Sequence, residues 1–260
     1  MEHNSVNYNF SDQVVLITGA GRGIGKATSK AFAKAGAKLV LVDISEEGTQ
    51  ELMEELIPAL KKEDILTIKT DVSDPEDVLK MTKEAINYFG RIDILFNNAG
   101  INKRIPLKDV SFEDWRKIMS VNLDGMFLVA QAVGKEMIKM KKGKIVNTAS
   151  MSGFIVNEKL NDGVYCTTKA AVVMLTKALA AEWAEYNIDV NAIAPGYTKT
   201  PLIKKLIKDS KIHKELKSRT PANRLAEPDE IARAVLYLSS PSTTYITGHT
   251  LKIEGGYTIW

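Results

Sequence analysis

Tyr165 and Lys169 stand four residues apart, at the start of a strongly apolar segment that has a helical pattern over residues 170–183. Positions i and i+4 lie on one face of a helix, so the phenol and the ammonium point the same way. A free phenol has a pKa of about 10, and a nearby ammonium favours the phenolate and lowers that pKa. The pair therefore predicts a general acid/base. The same spacing also occurs in surface helices, where a tyrosine covers a lysine stem.

A glycine-rich turn near the N-terminus has the composition of a phosphate-binding loop. The apolar run Val14–Thr18 predicts a buried strand, and a helical pattern follows over residues 24–35. Between them, Gly19, Gly23 and Gly25 form the pattern T-G-x-x-x-G-x-G. Glycines let the backbone approach a pyrophosphate, and a helix N-terminus favours phosphate. The stretch therefore predicts a dinucleotide-binding turn, and a glycine-rich turn without a ligand is the alternative.

Asp43 directly follows the predicted second strand, residues 38–42. A carboxylate about 20 residues past the glycines can accept both adenosine ribose hydroxyls. It would also repel a 2′-phosphate, which favours NAD over NADP. Arg22 could instead favour a phosphate. Asp43 could also be only the N-cap of the next helix, a role for which Ser45 competes.

Two further predicted strands end in polar or small residues. Asp71 follows the strand at residues 65–70 and could accept a hydrogen bond from an adenine amino group, or could be only a turn residue. Asn98, Ala99 and Gly100 follow the strand at residues 92–96. Small residues and an amide at that position suit close backbone packing against a cofactor.

Asn122 and Ser150 each allow a functional and a structural interpretation. Asn122 lies inside a long helical pattern at residues 112–140, where asparagine is unfavourable. It could anchor a water, bend the helix, or be a satisfied buried amide. Ser150 follows a predicted strand at residues 144–148, where its hydroxyl could donate to an oxyanion or only stabilise a turn.

The elements that must position these residues alternate between strand and helix along the chain. This alternation predicts an α/β fold, a Rossmann-type doubly wound parallel sheet with helices on both faces. Ligands then bind at the carboxyl ends of the strands, where Pro195 and Gly196 also fall. We expect a flexible tail at residues 1–11 and one oxidoreductase domain at residues 12–260. The charged segment 199–218 is a candidate lid.

Composition narrows the function classes. The 260 residues carry 35 basic and 32 acidic side chains, a net charge of +3, which gives no footprint for nucleic acid or membrane. One cysteine excludes an intramolecular disulfide. Three scattered histidines argue against a metal site. With no signal peptide and no apolar run near the length of a membrane span, a cytoplasmic protein is expected.

Taken in order, these motifs resemble the short-chain dehydrogenase/reductase family over nearly the whole chain, and polyol, ketose and sugar-acid (gluconate 5-dehydrogenase-like) members in particular. The resemblance implies a nicotinamide cofactor, for which Asp43 favours NAD over NADP. It also implies a homo-oligomer, a tetramer or dimer that pairs the helices of Asn122 and Tyr165. It implies a catalytic tetrad of Asn122, Ser150, Tyr165 and Lys169. The cofactor contacts expected from it and from the strand ends are Gly19, Arg22, Gly23, Ile24, Gly25, Asp43, Asp71, Val72, Asn98, Ala99, Gly100, Tyr165, Lys169, Pro195, Gly196, Thr198 and Thr200.

The substrate is predicted from two short segments. Residues 151–157, with Ser152 and Asn157, resemble members that act on polyols and ketoses, and Ser152 is an alternative for the serine role. Residues 99–106 resemble sugar-acid members, and Arg104 could bind a substrate carboxylate bidentately or be a surface arginine. The expected function is NAD-dependent interconversion of a secondary alcohol and a ketone on a sugar alcohol, ketose or sugar acid. An NADP-dependent 3-ketoacyl thioester or general carbonyl reductase and an NAD-binding scaffold or sensor are the alternatives.

Overall fold

A computed structural model describes residues 7–157, 160–204 and 206–259 of the chain. In this described part, seven parallel strands form one sheet in the order β3-β2-β1-β4-β5-β6-β7. The strand order reverses between β1 and β4, which creates the crevice where α/β sheets bind ligands. The Rossmann-type prediction is confirmed. The strands are β1 (Val14–Thr18), β2 (Lys38–Asp43), β3 (Ile65–Lys69), β4 (Ile94–Asn97), β5 (Gly143–Thr148), β6 (Ile188–Pro195) and β7 (Thr250–Ile253).

Helices cover both faces of the sheet. They are α1 (Gly23–Lys34), α2 (Glu46–Leu56), α3 (Pro75–Phe89), α4 (Phe112–Met119), α5 (Gly125–Met140), α6 (Gly163–Trp183), α7 (Pro201–Lys204), α8 (Ser210–Ser218) and α9 (Pro228–Ser239). Alternate residues of a strand point to opposite faces. Val14 and Leu16 of β1 thus pack with α3, α5 and α6. Val15 and Ile17 pack on the other face with α1, α2 and α9.

The prediction of a flexible tail over residues 1–11 is wrong near the C-terminal end of that segment. Phe10 is fully buried, and its ring meets Phe32 edge to face with 4.9 Å between centroids. Its backbone N–H donates to the Ala35 carbonyl over 2.8 Å. Phe10 therefore belongs to the core, although the residues around it in the sequence are polar. Residues 1–6 of the predicted tail lie outside the described residues.

Two helical segments are limited by local features of the sequence. Helix α2 ends at Leu56, shortly before Pro58, which is unfavourable inside a helix. The helix predicted over residues 112–140 consists of α4 and α5 with a π-helical turn, Ser120–Asp124, between them. The segment predicted as a lid contains α7 and α8, and its residue 205 lies outside the described residues.

Helix α6 differs from the sequence expectation in one respect. With the turn after it, Gly163–Tyr186, it is long and apolar enough to cross a membrane by length and composition alone. Of its most apolar window, 44% is buried inside the protein, and core helices of soluble proteins meet the same criterion. The absence of a membrane partner therefore stays a prediction.

Candidate active site

A cleft of about 590 Å³, including its open mouth, lies at the carboxyl ends of β5 and β6. It is the place where most of the predicted catalytic and substrate residues meet. The predicted site residues that line it are Ile24, Arg104, Ser150, Ser152, Asn157, Tyr165, Pro195, Gly196, Thr198 and Thr200.

Tyr165 lies in the first turn of α6, beside Ser150. Burial raises the pKa of Tyr165 to about 12, and a hydrogen bond with Ser150 offsets part of that rise. The sequence expectation was a pKa lowered by Lys169, and that direction is wrong for the protein without its cofactor. The Lys169 ammonium lies 5.6 Å from the centre of the Tyr165 ring, and loss of water around the phenol outweighs it.

Lys169 is 2% exposed and lies one turn further along α6. Its Nζ donates to the Thr148 carbonyl at the end of β5 over 2.6 Å. Burial lowers the pKa of Lys169 to about 8. An ammonium can donate three hydrogen bonds, and the Thr148 carbonyl accepts one of them.

Asn122 lies in the π-helical turn and is fully buried. Its Oδ1 accepts from the Ile101 N–H and its Nδ2 donates to the Ile101 carbonyl, both over 2.8 Å. Nδ2 also lies 3.3 Å from the Thr168 hydroxyl. The side chain is therefore a satisfied buried amide that ties the segment after β4 to α6. The π turn interrupts the regular helical ladder between α4 and α5 at this residue.

Ser150 and Ser152 are oriented differently. The Ser150 Oγ accepts from the Ser152 N–H over 3.1 Å and contacts Tyr165 through the hydrogen bond already described. The Ser152 Oγ instead accepts from the Asn157 Nδ2 over 2.7 Å. The geometry favours Ser150 for the serine role beside the tyrosine.

The glycine turn has the conformation of an anion cradle. Gly19 and Gly23 have φ values of +65° and +57°, which residues other than glycine rarely adopt. A Cβ on Gly25 would lie 2.0 Å from the Gly19 carbonyl oxygen. Arg22 occupies the N-cap position of α1, but its side chain does not cap the helix. The first turn of α1 contains no acidic residue. The free N–H groups of that turn fit a pyrophosphate.

Asn98 and Thr18 hold this turn against the end of β4. The Asn98 Nδ2 donates to the Thr18 carbonyl over 3.1 Å. The Thr18 hydroxyl accepts from the N–H groups of Asn98 and Ala99. A Cβ on Gly100 would lie 3.3 Å from the Asn122 Oδ1 and 3.7 Å from the Lys169 Nζ. The segment after β4 therefore lies between the glycine turn on one side and Asn122 and Lys169 on the other.

Asp43 and Asp71 end the neighbouring strands β2 and β3. The Asp43 carboxylate accepts from the Gly21 and Ser45 N–H groups over 2.9 and 3.0 Å. Ser45, not Asp43, caps α2. Asp71 accepts from the N–H and the hydroxyl of Ser73, so it is at least a turn residue. Val72, next to it, is buried.

The end of β6 lies over the glycine turn. A Cβ on Gly23 would lie 3.3 Å from the Thr200 Cγ2. The Thr198 hydroxyl donates to the Gly196 carbonyl over 3.1 Å. Pro195, the last residue of β6, also lines the cleft. The predicted contacts Pro195, Gly196, Thr198 and Thr200 therefore share one wall.

Arg104 lines the cleft and is half-buried. Its Nε and the Oδ1 of Asn102 are buried atoms that have no hydrogen-bond partner within the described residues. Buried polar groups nearly always have a partner, so these two atoms mark a place for a polar ligand.

Asp162 and Tyr197 also line the cleft, and sequence reasoning did not select either. Asp162 is the N-cap residue of α6 and is 4% exposed. Its position three residues before Tyr165 was the available signal, because such residues are neighbours at a helix start. The described residues contain no group of three potential metal ligands.

Comparison with known proteins places these features in a family. The family model described as enoyl-(acyl carrier protein) reductase matches residues 19–258. A solved short-chain type dehydrogenase/reductase from Mycobacterium marinum is 38% identical with a TM-score of 0.92, and the match covers 97% of this chain and 98% of that one. The chain belongs to the short-chain dehydrogenase/reductase family. This dehydrogenase/reductase is therefore an oxidoreductase that acts on CH–OH groups with a nicotinamide cofactor.

Two other similar proteins bear on the cofactor and substrate of this dehydrogenase/reductase. An NAD-dependent glycerol dehydrogenase from Listeria innocua is 40% identical over 253 residues, 97% of this chain and 96% of that protein. A gluconate 5-dehydrogenase from Burkholderia cenocepacia, solved in complex with NADP and tartrate, is 38% identical with a TM-score of 0.92. The match covers 98% of each chain. The two relatives are named with different nicotinamide cofactors.

Proposed function

We propose that this enzyme interconverts a secondary alcohol and a ketone on a sugar alcohol, ketose or sugar acid, with NAD as its cofactor. The observation that carries the proposal is the polar wall of the cleft that Tyr165 and Ser150 share. Ser152, Asn157 and Arg104 face the same cleft, so a substrate that carries several hydroxyl groups finds partners along its length. The similarity to a glycerol dehydrogenase supports this substrate class.

Each member of the proposed tetrad has a distinct role. In oxidation, Tyr165 takes the proton of the substrate hydroxyl, while Ser150 donates a hydrogen bond to the substrate oxygen as charge develops there. Lys169 holds positive charge beneath the Tyr165 ring and has donors left for a ribose. Asn122 fixes the Ile101 backbone opposite Lys169. When bound, the nicotinamide supplies hydride acceptance or donation.

The raised pKa of Tyr165 determines which form of the phenol is present at neutral pH. With a pKa of about 12, the phenol is protonated at neutral pH. It can thus protonate a ketone oxygen during reduction without further assistance. Oxidation needs the phenolate, so its rate should increase with pH until the pH exceeds the pKa of Tyr165. Positive charge near the phenol lowers that pKa.

The proposed preference for NAD rests on Asp43. Its carboxylate is held between the N–H groups of Gly21 and Ser45. Each carboxylate oxygen retains acceptor capacity for a ribose hydroxyl. A 2′-phosphate at the same place would meet a fixed negative charge. Arg22 at the N-terminus of α1 is the feature that favours a phosphate instead.

A reductase of 3-ketoacyl thioesters is the second candidate function. The observation that favours it is the similarity to a 3-oxoacyl-(acyl carrier protein) reductase from Thermotoga maritima, which is 39% identical over 247 residues, 95% of this chain and 98% of that protein. The tetrad and the fold serve both candidates equally, because the chemistry at the reacting carbon is the same.

A spectrophotometric screen separates these candidates. Purified enzyme is offered NAD or NADP with polyols, aldonates, simple secondary alcohols and 3-hydroxyacyl thioesters, and formation of the reduced nicotinamide is followed by its absorbance. We expect turnover of polyols or aldonates with NAD and little with NADP. Turnover confined to the thioesters would contradict the proposed substrate class, and turnover confined to NADP would contradict the role of Asp43.

The proposed assembly is a homo-oligomer, a tetramer or dimer, through α5 and α6. Phe127 on α5 and Met174 on α6 are 40% and 63% exposed. A helix as apolar as α6 is usually covered on most of its surface, and a second copy of the chain would cover it. A cytoplasmic location stays a prediction from the composition.

A further inference from the structure

A connected polar network forms one wall of the cleft beside Tyr165. The Tyr197 hydroxyl lies 3.1 Å from the Asn157 Oδ1. The Asn157 Nδ2 lies 2.7 Å from the Ser152 Oγ and 3.1 Å from the Asp162 Oδ2. The Cys166 Sγ lies 3.5 Å from the other carboxylate oxygen of Asp162. All five side chains are at least nine-tenths buried.

The chemistry of the carboxylate fixes the direction of every hydrogen bond in this network. An ionised carboxylate only accepts, so Asn157 must turn its Nδ2 towards Asp162 and its Oδ1 towards Tyr197. The Tyr197 hydroxyl then donates to that Oδ1. Burial and the Asp162 carboxylate raise the pKa of the Cys166 thiol to about 11, so the thiol stays protonated and donates to Asp162.

Two groups of the network keep unused capacity towards the cleft. Asn157 uses both amide hydrogens, so the Ser152 Oγ is an acceptor there and its own proton has no acceptor within the described residues. Asp162 uses about two of its roughly four acceptor sites. A substrate hydroxyl both donates and accepts, so it could satisfy both residues.

Capping of α6 does not explain why a buried carboxylate stands at position 162. It stands at the N-cap position of α6, where aspartate usually accepts from a backbone N–H. Asp162 makes no such bond. Its partners in the described residues are one amide and one thiol. A buried carboxylate with only two neutral partners is unfavourable unless something further donates to it.

The position of Asp162 indicates which part of a substrate it could reach. Asp162 and Tyr165 line the same cleft, and the Asp162 charge raises the pKa of the Tyr165 phenol. The two groups are therefore close neighbours. A substrate whose reacting oxygen lies at Tyr165 would bring the adjoining carbon towards Asp162.

We propose that Asp162 is a specificity-determining residue that accepts a hydrogen bond from the hydroxyl on the carbon next to the reacting carbon. This inference rests on the proposed function and names its substrate feature, a vicinal hydroxyl pair. Arg104, which lines the same cleft and has a buried Nε without a partner in the described residues, would bind further along the substrate. A simple secondary alcohol has no neighbouring hydroxyl, so Asp162 would keep only Asn157 and Cys166 as hydrogen-bond donors.

The test compares glycerol with isopropanol, which lacks both neighbouring hydroxyls. The ratio of kcat/KM for the two alcohols is measured for the wild-type enzyme, Asp162→Asn and Cys166→Ala. We expect Asp162→Asn to lower the ratio of kcat/KM for glycerol to that for isopropanol about 10- to 100-fold, the effect of one lost hydrogen bond to a charged group. Any change in the Tyr165 pKa affects both alcohols alike and cancels in this ratio. Cys166→Ala removes a partner of Asp162 but keeps the carboxylate, so it should keep the preference for glycerol.

Other results would contradict the inference. Equal losses on both alcohols in Asp162→Asn would show a structural role, and a glycerol preference that survives unchanged would remove Asp162 from substrate recognition while leaving the proposed function intact. A wild-type enzyme with no preference for glycerol would contradict both. If Asp162→Asn does not fold, Asp162→Glu keeps the charge but displaces it, and the same selective loss is expected.

Discussion

Lys169 carries a buried ammonium. Its positive charge has a proposed role in catalysis, but its burial destabilises the folded protein. Burial lowers its pKa from 10.5 to about 8. Between these pH values, the unfolded chain binds a proton at this lysine that the folded chain does not bind. The stability of the wild-type protein therefore rises with pH through this interval, and below it the folded state bears the cost of a buried charge.

We expect Lys169→Met, measured without cofactor, to be at least as stable as wild type at pH 7. The gain could reach about 3 kcal/mol, the free energy that corresponds to the pKa shift, less the lost hydrogen bond to Thr148. The advantage should shrink as pH rises from about 8 to about 10.5. Denaturant unfolding at both ends of this interval measures it, with the exposed Lys177→Met on the same helix as control. A stability difference that does not change with pH would contradict the buried charge.

Single residues show where sequence reasoning succeeded and where it could not. Helical spacing placed Tyr165 and Lys169 on one face, and the structure has them there. The direction of the tyrosine pKa was wrong because desolvation depends on neighbours that spacing does not reveal. Asp162 was missed because its burial is a property of the folded cleft.

Among the elements, β1 has the bounds predicted from the sequence. Its short apolar run ends sharply at Gly19. The π turn at Asn122 was not predicted as such, because one extra residue shifts the phase of a hydrophobic pattern once but does not change its helical period. Sequence indicated only that asparagine is unusual there.

The proposed cofactor preference depends on the end of strand β2. We expect Asp43→Asn to lower the ratio of NAD to NADP activity about 10-fold or more, because it removes a negative charge facing the 2′-phosphate while keeping a similar shape. Asp71→Asn is the matched control at the end of β3. It should affect both cofactors alike, since they share the adenine. Steady-state kinetics with both cofactors measure the ratios, and an unchanged ratio in Asp43→Asn would show that another residue selects the cofactor.

For the whole molecule, alternation of strand and helix was sufficient to predict the sheet and the edge where the site lies. Most predicted strand-end residues, including Asp43 at the end of β2, are joined to the cleft or to the glycine turn by a contact described above. Asp71 and Val72, which follow β3, have no such contact within the described residues. Phe10 was assigned to the tail because a single aromatic residue in a polar stretch does not show what covers it. The substrate needs the shape of the cleft, which loops determine and sequence patterns do not.

The central claim is that Tyr165 moves the proton in a hydride-transfer reaction. The measurement is the turnover of Tyr165→Phe beside its affinity for NAD, determined by fluorescence titration, with the exposed Thr167→Ala on the same helix as control. We predict that Tyr165→Phe binds NAD as wild type does and loses roughly a hundred- to ten-thousand-fold in kcat, the usual contribution of a general acid/base. Turnover close to that of wild type in Tyr165→Phe would contradict the claim.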